Sequence, residues 1–176
     1  VRVKETNPGG CVKAVMRNTY NRLNGRHPTG QFSLLLLLLT PSLLKTTYKR
    51  KEMKALHSDK APKALGPYSQ AIVAGGFVFA SGQVPIDPAT GEFVEGGIKE
   101  QTRQSLTNVT NVLAEAGIDL SHVVKTTVFL SDMDNFAAMN EVYATFFKEP
   151  FPARSAVAVK TLPKGALVEV EVIAEL

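Results

Sequence analysis

Residues 151–176 read FPARSAVAVKTLPKGALVEVEVIAEL, and this stretch predicts two β-strands joined by a turn. Residues 155–159 and 167–173 are rich in valine and alternate with period two, so successive side chains face opposite sides of a sheet. Glu169 and Glu171 therefore share one face. Pro152 favours an extended conformation just before it, which places Arg154 near the start of a strand.

Arg154 is a candidate binding residue because a rigid strand can hold its guanidinium in one place. The planar guanidinium binds a carboxylate through two parallel hydrogen bonds, which a lysine ammonium cannot do. We therefore predict that Arg154 binds a small carboxylate substrate. The spacing alone is more typical of the alternative, an ordinary surface arginine paired with a neighbouring glutamate.

Charge is distributed unevenly along the 176 residues, whose net charge is +4. Residues 1–52 contain ten Lys/Arg and two Asp/Glu, whereas residues 53–176 contain ten and 14, a net charge of −4. The basicity thus belongs to the N-terminal segment. A groove that follows nucleic acid phosphates is not expected in residues 53–176.

Residues 1–52 lack sustained periodicity and do not predict a domain. The leucine run 34–39 is too short to span a bilayer, and no small-x-small cleavage pattern follows it. Codons for residues 49–52 are purine-rich, as in a translated ribosome-binding site, so we expect translation to begin at Met53 and the protein to be cytoplasmic. An organelle transit segment is the alternative. Cys11, the single cysteine, excludes a disulfide within one chain.

From Met53 onward the pattern predicts an α+β domain. Residues 69–74 and 77–84 are strand-like and flank Gly75-Gly76, a hairpin signal. Helical spacing marks residues 98–116 and 136–147, the latter capped by Ser131-Asp132, and residues 123–130 form an apolar strand. Two helices for about five strands predict both helices on one sheet face, with the other face partly apolar and suited to self-association.

Several kinds of site are not indicated. The histidines His27, His57 and His122 lie far apart with no acidic or cysteine cluster at ligand spacing, so no metal site is expected. No glycine-rich phosphate-binding loop is present, and cofactor chemistry is not expected. Ser81 lacks the G-x-S-x-G context of a hydrolase nucleophile.

Five sequence blocks, in order, resemble the reactive intermediate deaminase family, known as RidA or YjgF. They are GPYSQA at 66–71, ASGQ at 80–83, VKTTV at 124–128, FPAR at 151–154, and LPKG at 162–165 with VEVE at 168–171. The likeness covers residues 55–175. It implies a chorismate-mutase-like fold and a homotrimer with three active sites between subunits. It also implies hydrolysis of 2-enamino and 2-imino acids to 2-keto acids and ammonia.

The resemblance also implies a role for each site residue. Arg154 would bind the substrate carboxylate and Glu169 would position or activate the attacking water. The other residues implied to line the cleft or allow close approach of the substrate are Tyr68, Ser81, Gly82 and Asn140. Many members carry cysteine where this chain has Ala156. We expect activity to survive, because imine hydrolysis needs no covalent nucleophile.

Chemistry and charge support this interpretation but leave alternatives. An iminium carbon is already electrophilic, so the site need only orient substrate and water and accept a proton. We expect Arg154 near Glu169 to favour the carboxylate form of Glu169.

The alternative functions are an RNA-binding endoribonuclease that inhibits translation, and a non-catalytic carboxylate binder or holdase. Outside the family likeness, Glu171 is typical of a solvated sheet face, Tyr68 of a half-buried aromatic, Asn140 of an exposed helix position and Ser81 of packing.

Overall fold

A six-stranded mixed sheet forms the centre of residues 52–176, the part of the chain that the computed structural model describes. The predicted extension, residues 1–52, lies outside the described residues except for Glu52. The strands and helices, in chain order, are β1 Lys54–Leu56, β2 Ala71–Ala74, β3 Phe77–Gln83, α1 Ile98–Ala114, β4 Val123–Leu130, α2 Phe136–Phe146, β5 Ala153–Ala158 and β6 Val168–Glu175.

The order of strands across the sheet is β1-β2-β3-β6-β4-β5. Only β4 and β5 run parallel, because α2 carries the chain back between them. Gly75 and Gly76 have positive φ angles of 62° and 90°, which a tight turn requires and which glycine adopts without strain. The predicted hairpin is confirmed. No helix among residues 52–176 is both long and apolar enough to cross a bilayer.

Both helices pack on the same face of the sheet, as predicted. The core includes Leu106 and Val109 from α1, Met139 from α2, and Val170 and Val172 from β6, all at most 2% exposed. The expected number of strands was wrong by one, because β1 is only three residues long and carries no periodicity. Asp132 also caps a short 3-10 turn, Met133–Asn135, rather than α2 itself.

The other sheet face, which we call the open face, carries the side chains between the buried positions of each strand. It contains Phe77 and Phe79, which are 37% and 45% exposed, together with polar groups that include both Glu169 and Glu171. The strand register adds further apolar residues to this face, namely Ile72, Phe129, Val157 and Ile173. The face is therefore partly apolar, as predicted.

Candidate active site

Arg154 extends from the edge strand β5 toward helix α2. Its Nη1 donates a hydrogen bond of 2.8 Å to Oδ1 of Asn140. Its Cζ lies 4.5 Å from the ring centre of Tyr143 and 5.5 Å from that of Phe136, within the range of cation–π attraction. Within residues 52–176 the guanidinium makes no ion pair. The remaining N–H groups of Arg154 are therefore not occupied by a glutamate of this domain.

Helix α2 presents three groups to the guanidinium because positions four and seven residues apart share a helix face. Phe136, Asn140 and Tyr143 have this spacing. The Tyr143 hydroxyl lies 2.9 Å from Oγ1 of Thr126, and its ring stacks on Phe147 with centroids 4.4 Å apart. Burial raises the pKa of the Tyr143 hydroxyl, so it remains a neutral phenol. The sequence predicted an amphipathic helix over residues 136–147 without naming Phe136 or Tyr143 as site residues, although their spacing with Asn140 was visible.

Glu169 lies on the open face against Gly82. Strand pairing between β3 and β6 is irregular from Ala80 to Gln83, which places Gly82 in a bulge beside the Glu169 side chain. A Cβ on Gly82 would come within 2.7 Å of the Glu169 carboxyl carbon. The absence of a side chain at Gly82 therefore makes room for this carboxylate.

The protonation of Glu169 differs from the expectation. Burial raises its pKa, and the negative charge of Glu171 on the same face raises it further. The prediction that Arg154 favours the carboxylate is wrong within one chain, because Arg154 lies on the other face of the sheet. A raised pKa allows a glutamate to hold and release a proton nearer neutral pH.

Ser81 lies next to Gly82, the residue that faces Glu169, and Tyr68 precedes the residue that Ser81 contacts. Ser81 Oγ donates a 2.7 Å hydrogen bond to the carbonyl oxygen of Ser69. The backbone N–H of Ser81 donates a 3.0 Å hydrogen bond to the carbonyl oxygen of Gln70. This hydroxyl is thus committed to the backbone just before β2. Tyr68 comes just before Ser69 in the chain and is 52% exposed, so its ring is accessible.

The predicted site residues form two separate groups. The first, the Arg half-site, contains Arg154, Asn140 and Ala156 with the rings of Phe136 and Tyr143. The second, the Glu half-site, contains Glu169 and Gly82 with Ser81 next in the chain, and Tyr68 is connected to it through Ser69, which accepts the Ser81 hydrogen bond. Arg154 is paired in register with the buried Thr126, whereas Glu169 is paired with Phe129 of the same strand on the open face. Strand β4 separates them, and one chain does not bring them together.

A family profile described as endoribonuclease L-PSP matches residues 58–176. The chain belongs to this family, which is the YjgF/RidA family. A RutC family protein of Pyrococcus horikoshii is 56% identical over 121 residues, covering 69% of this chain and 96% of that protein. The 2-iminobutanoate/2-iminopropanoate deaminase of Bos taurus is 47% identical over 121 residues, covering 69% and 88%. The crystal structure of E. coli TdcF with bound serine has 42% identity and a TM-score of 0.66, covering 70% and 98%.

In this member of the L-PSP family, position 156 carries only a methyl group. Ala156 lies on the same face as Arg154, two residues along β5, and packs partly buried against the core. It offers backbone groups and no nucleophile. Within residues 52–176 no three His, Cys, Asp or Glu side chains cluster as metal ligands would. Among the described residues, one half-site thus offers a guanidinium and the other a carboxyl group whose pKa is raised.

Proposed function

We propose that this protein hydrolyses reactive 2-imino and 2-enamino acids, such as 2-aminoacrylate and 2-aminocrotonate, to 2-keto acids and ammonia. The observation that carries the proposal is the set of contacts that Arg154 makes. Its guanidinium is oriented by Asn140 and Tyr143, yet makes no ion pair with any acid of residues 52–176. Such a guanidinium is suited to a ligand carboxylate. The bovine relative is named as a deaminase, and TdcF holds serine, itself a small carboxylate.

The catalytic unit in this proposal is a homotrimer with three sites between subunits. Each site combines the Arg half-site of one copy with the Glu half-site of another. Two observations support this arrangement. The half-sites lie on opposite faces of the sheet, and the open face exposes Phe77 and Phe79, which association would bury.

The reaction requires addition of water to a C=N bond and loss of ammonia. Arg154 binds the carboxylate and fixes the distance of the imine carbon from Glu169. In the protonated, iminium form of the substrate, the water oxygen adds to that carbon while Glu169 takes a proton from the water, and the nitrogen becomes a neutral amine. Glu169 then gives this proton to the nitrogen, the C–N bond breaks to release ammonia, and Glu169 takes the proton of the hydroxyl group as the carbonyl forms. A 2-enamino acid first takes a proton at its β-carbon to become this iminium.

Ala156 is compatible with this reaction. No step forms a bond between the protein and the substrate, so a thiol at position 156 is not required. The backbone of β5 at Ala156 remains in place beside Arg154 to line the site. We therefore expect the wild-type protein, with alanine at position 156, to hydrolyse the substrate.

The direct test follows the loss of 2-aminocrotonate generated in the assay by a pyridoxal-phosphate-dependent threonine dehydratase. Wild-type protein is expected to accelerate formation of 2-oxobutanoate, and Arg154→Ala is expected to abolish the acceleration. Arg103→Ala, which removes an exposed arginine of α1, is the matched control and should behave as wild type. If wild type and Arg154→Ala both match a blank without protein, the proposal fails.

The same preparations separate the two alternatives. An endoribonuclease, as in the family description, would cleave RNA, and residues 53–176 oppose this with a net charge of −4. Cleavage that co-purifies with the protein and survives Arg154→Ala would favour it. A carboxylate sensor would instead bind 2-oxobutanoate through Arg154 without turning over 2-aminocrotonate.

A further inference from the structure

The ring of Tyr143 and the guanidinium of Arg154 form a defined pair between α2 and β5. The guanidinium carbon lies 4.5 Å from the ring centre, closer than to Phe136 at 5.5 Å. A cation at this distance over an aromatic face is attracted by the negative charge density of the ring. We infer that Tyr143 is a positioning residue that holds the guanidinium of Arg154 ready for the substrate carboxylate, an inference that rests on the proposed function.

The tyrosine ring is itself held by two contacts besides Arg154. It is 5% exposed, its hydroxyl is hydrogen-bonded to Thr126, and its ring stacks on that of Phe147. Thr126 is also the residue of β4 that is paired in register with Arg154 on β5. The hydroxyl bond therefore links the ring to the strand position next to the arginine. Movement of the ring relative to Arg154 would break this bond or the sheet pairing.

The N–H donors of the guanidinium explain why a fixed orientation of its plane favours carboxylate binding. An arginine side chain carries five N–H donors in a rigid fork. Asn140 accepts from Nη1 at 2.8 Å, which fixes one edge, and the Tyr143 ring fixes the orientation of the plane. These two contacts together restrict the directions of the remaining N–H donors, which a carboxylate can then meet without reordering the side chain. Without the ring, a long and exposed side chain spreads over several rotamers, and binding must restrict it.

A tyrosine in a core often serves packing alone, and its effect on Arg154 is separable from packing by the choice of variant. Tyr143→Phe keeps the ring and removes only the hydroxyl bond to Thr126. Tyr143→Leu keeps apolar volume and removes the π-face. Val142→Ala opens a cavity on the same helix at a residue that is 4% exposed and is not among the described contacts of the guanidinium.

The experiment measures binding of 2-oxobutanoate by NMR titration, together with KM and kcat for 2-aminocrotonate. We expect Tyr143→Leu to weaken 2-oxobutanoate binding and to raise KM by about ten-fold, with kcat changed about two-fold or less. Tyr143→Phe should keep KM within about two-fold of wild type even if its Tm falls, because the π-face remains. Val142→Ala should lower Tm and leave KM unchanged.

A double-mutant cycle supplies the decisive comparison. In an Arg154→Ala background, adding Tyr143→Leu should not weaken 2-oxobutanoate binding further, because the ring acts only through the arginine. The inference is overturned if Tyr143→Leu binds as wild type, if Tyr143→Phe is as weak as Tyr143→Leu, or if the effect persists without Arg154. Absence of 2-oxobutanoate binding by wild-type protein also overturns it.

Failure of this inference and failure of the proposed function are distinguishable. If 2-oxobutanoate binds with the expected dependence on Tyr143 but 2-aminocrotonate is not consumed, the positioning role stands and the deaminase activity fails. If 2-aminocrotonate is consumed and Tyr143→Leu has the KM of wild type, the activity stands and the positioning role fails.

Discussion

Arg154 and Glu169 lie on opposite faces of one sheet, with strand β4 between the strands that carry them. Arg154 shares its face with the buried Thr126 and contacts α2, whereas Glu169 shares the open face with Phe129. A side chain cannot pass through the sheet to reach the other face. If both residues act on one substrate, they must come from different copies of the chain.

Complementation between inactive variants tests this arrangement. Arg154→Ala and Glu169→Gln should each be inactive alone, but their co-expression in equal amounts should restore about one quarter of wild-type activity, because one subunit interface in four then carries both intact residues. Activity is measured as 2-oxobutanoate formation from 2-aminocrotonate. Co-expression of differently tagged Arg154→Ala copies is the control and should remain inactive. Recovery no greater than this control would place both residues in one chain or exclude one of them.

Gly82→Ala should separate activity from stability. The φ angle of Gly82 is outside the left-handed region, so alanine is compatible with the backbone, but its Cβ would collide with the end of the Glu169 side chain. Because that end is flexible, we expect a loss of about 1 kcal/mol or less in the free energy of unfolding. Displacement of the carboxylate should lower kcat about 100-fold.

Thermal unfolding and steady-state rates of the Gly82→Ala protein check both parts of this prediction. Gly97→Ala is the control for kcat, since its Cβ would meet no atom closer than 3.9 Å. Its own fall in Tm is expected from the N-cap position of Gly97 in α1. A Gly82→Ala protein with the kcat of wild type would show that the position of the Glu169 carboxylate is not important.

Glu171→Gln should move the acidic limb of the kcat/KM profile to lower pH. The charge of Glu171 raises the pKa of Glu169, after the larger effect of burial, so its removal lowers that pKa. Glu169 then remains an ionised base at more acidic pH. Within one chain, Lys125 of β4 is the other charged group on this part of the open face, and its ammonium donates a hydrogen bond to Ser155. In the proposed assembly Arg154 of another copy also faces Glu169, and the substitution changes neither cation. The pH dependence of 2-aminocrotonate hydrolysis gives the measurement.

Glu175→Gln removes an equal charge from the same strand and face, farther from Glu169, and provides the comparison for the pH profile. Its acidic limb should stay at the wild-type position. An unchanged limb in Glu171→Gln, or one that moves to higher pH, would contradict the role assigned to Glu169.

The sequence predicted the strands, both helices and their common face because each of these follows from local periodicity and turn residues. Gly75-Gly76, for example, determines the hairpin on its own. Strand β1 was missed because three residues carry no period. The sequence also suggested that Arg154 and Glu169 are neighbours, because their two strands are close in sequence and joined by a turn. Their separation depends on the order of strands, in which β4 enters between β5 and β6, and no local pattern encodes that order.

Asn140→Asp should impair substrate binding more than Asn140→Ala does. Asn140 accepts a hydrogen bond from Arg154 at 2.8 Å, so aspartate would place a negative charge against the guanidinium. That charge competes with the substrate carboxylate, whereas alanine only removes an orienting bond. We expect KM to rise about ten-fold or more for aspartate and less for alanine. Steady-state KM values decide, and a lower KM for aspartate than for alanine would refute the prediction.

Phe79→Lys should dissociate the assembly and abolish activity together. Phe79 is 45% exposed on the open face, beside Ile72 and Ile173 in the strand register, and a lysine there would bury a charge if copies associate through this face. Sedimentation velocity should show a trimer for wild type and smaller species for the variant. Met133→Lys places the same charge at a residue that is 44% exposed outside the sheet, and should leave both properties intact. Because each proposed site needs two copies, a Phe79→Lys protein that sediments as a monomer but retains full activity would show that the site is complete within one chain.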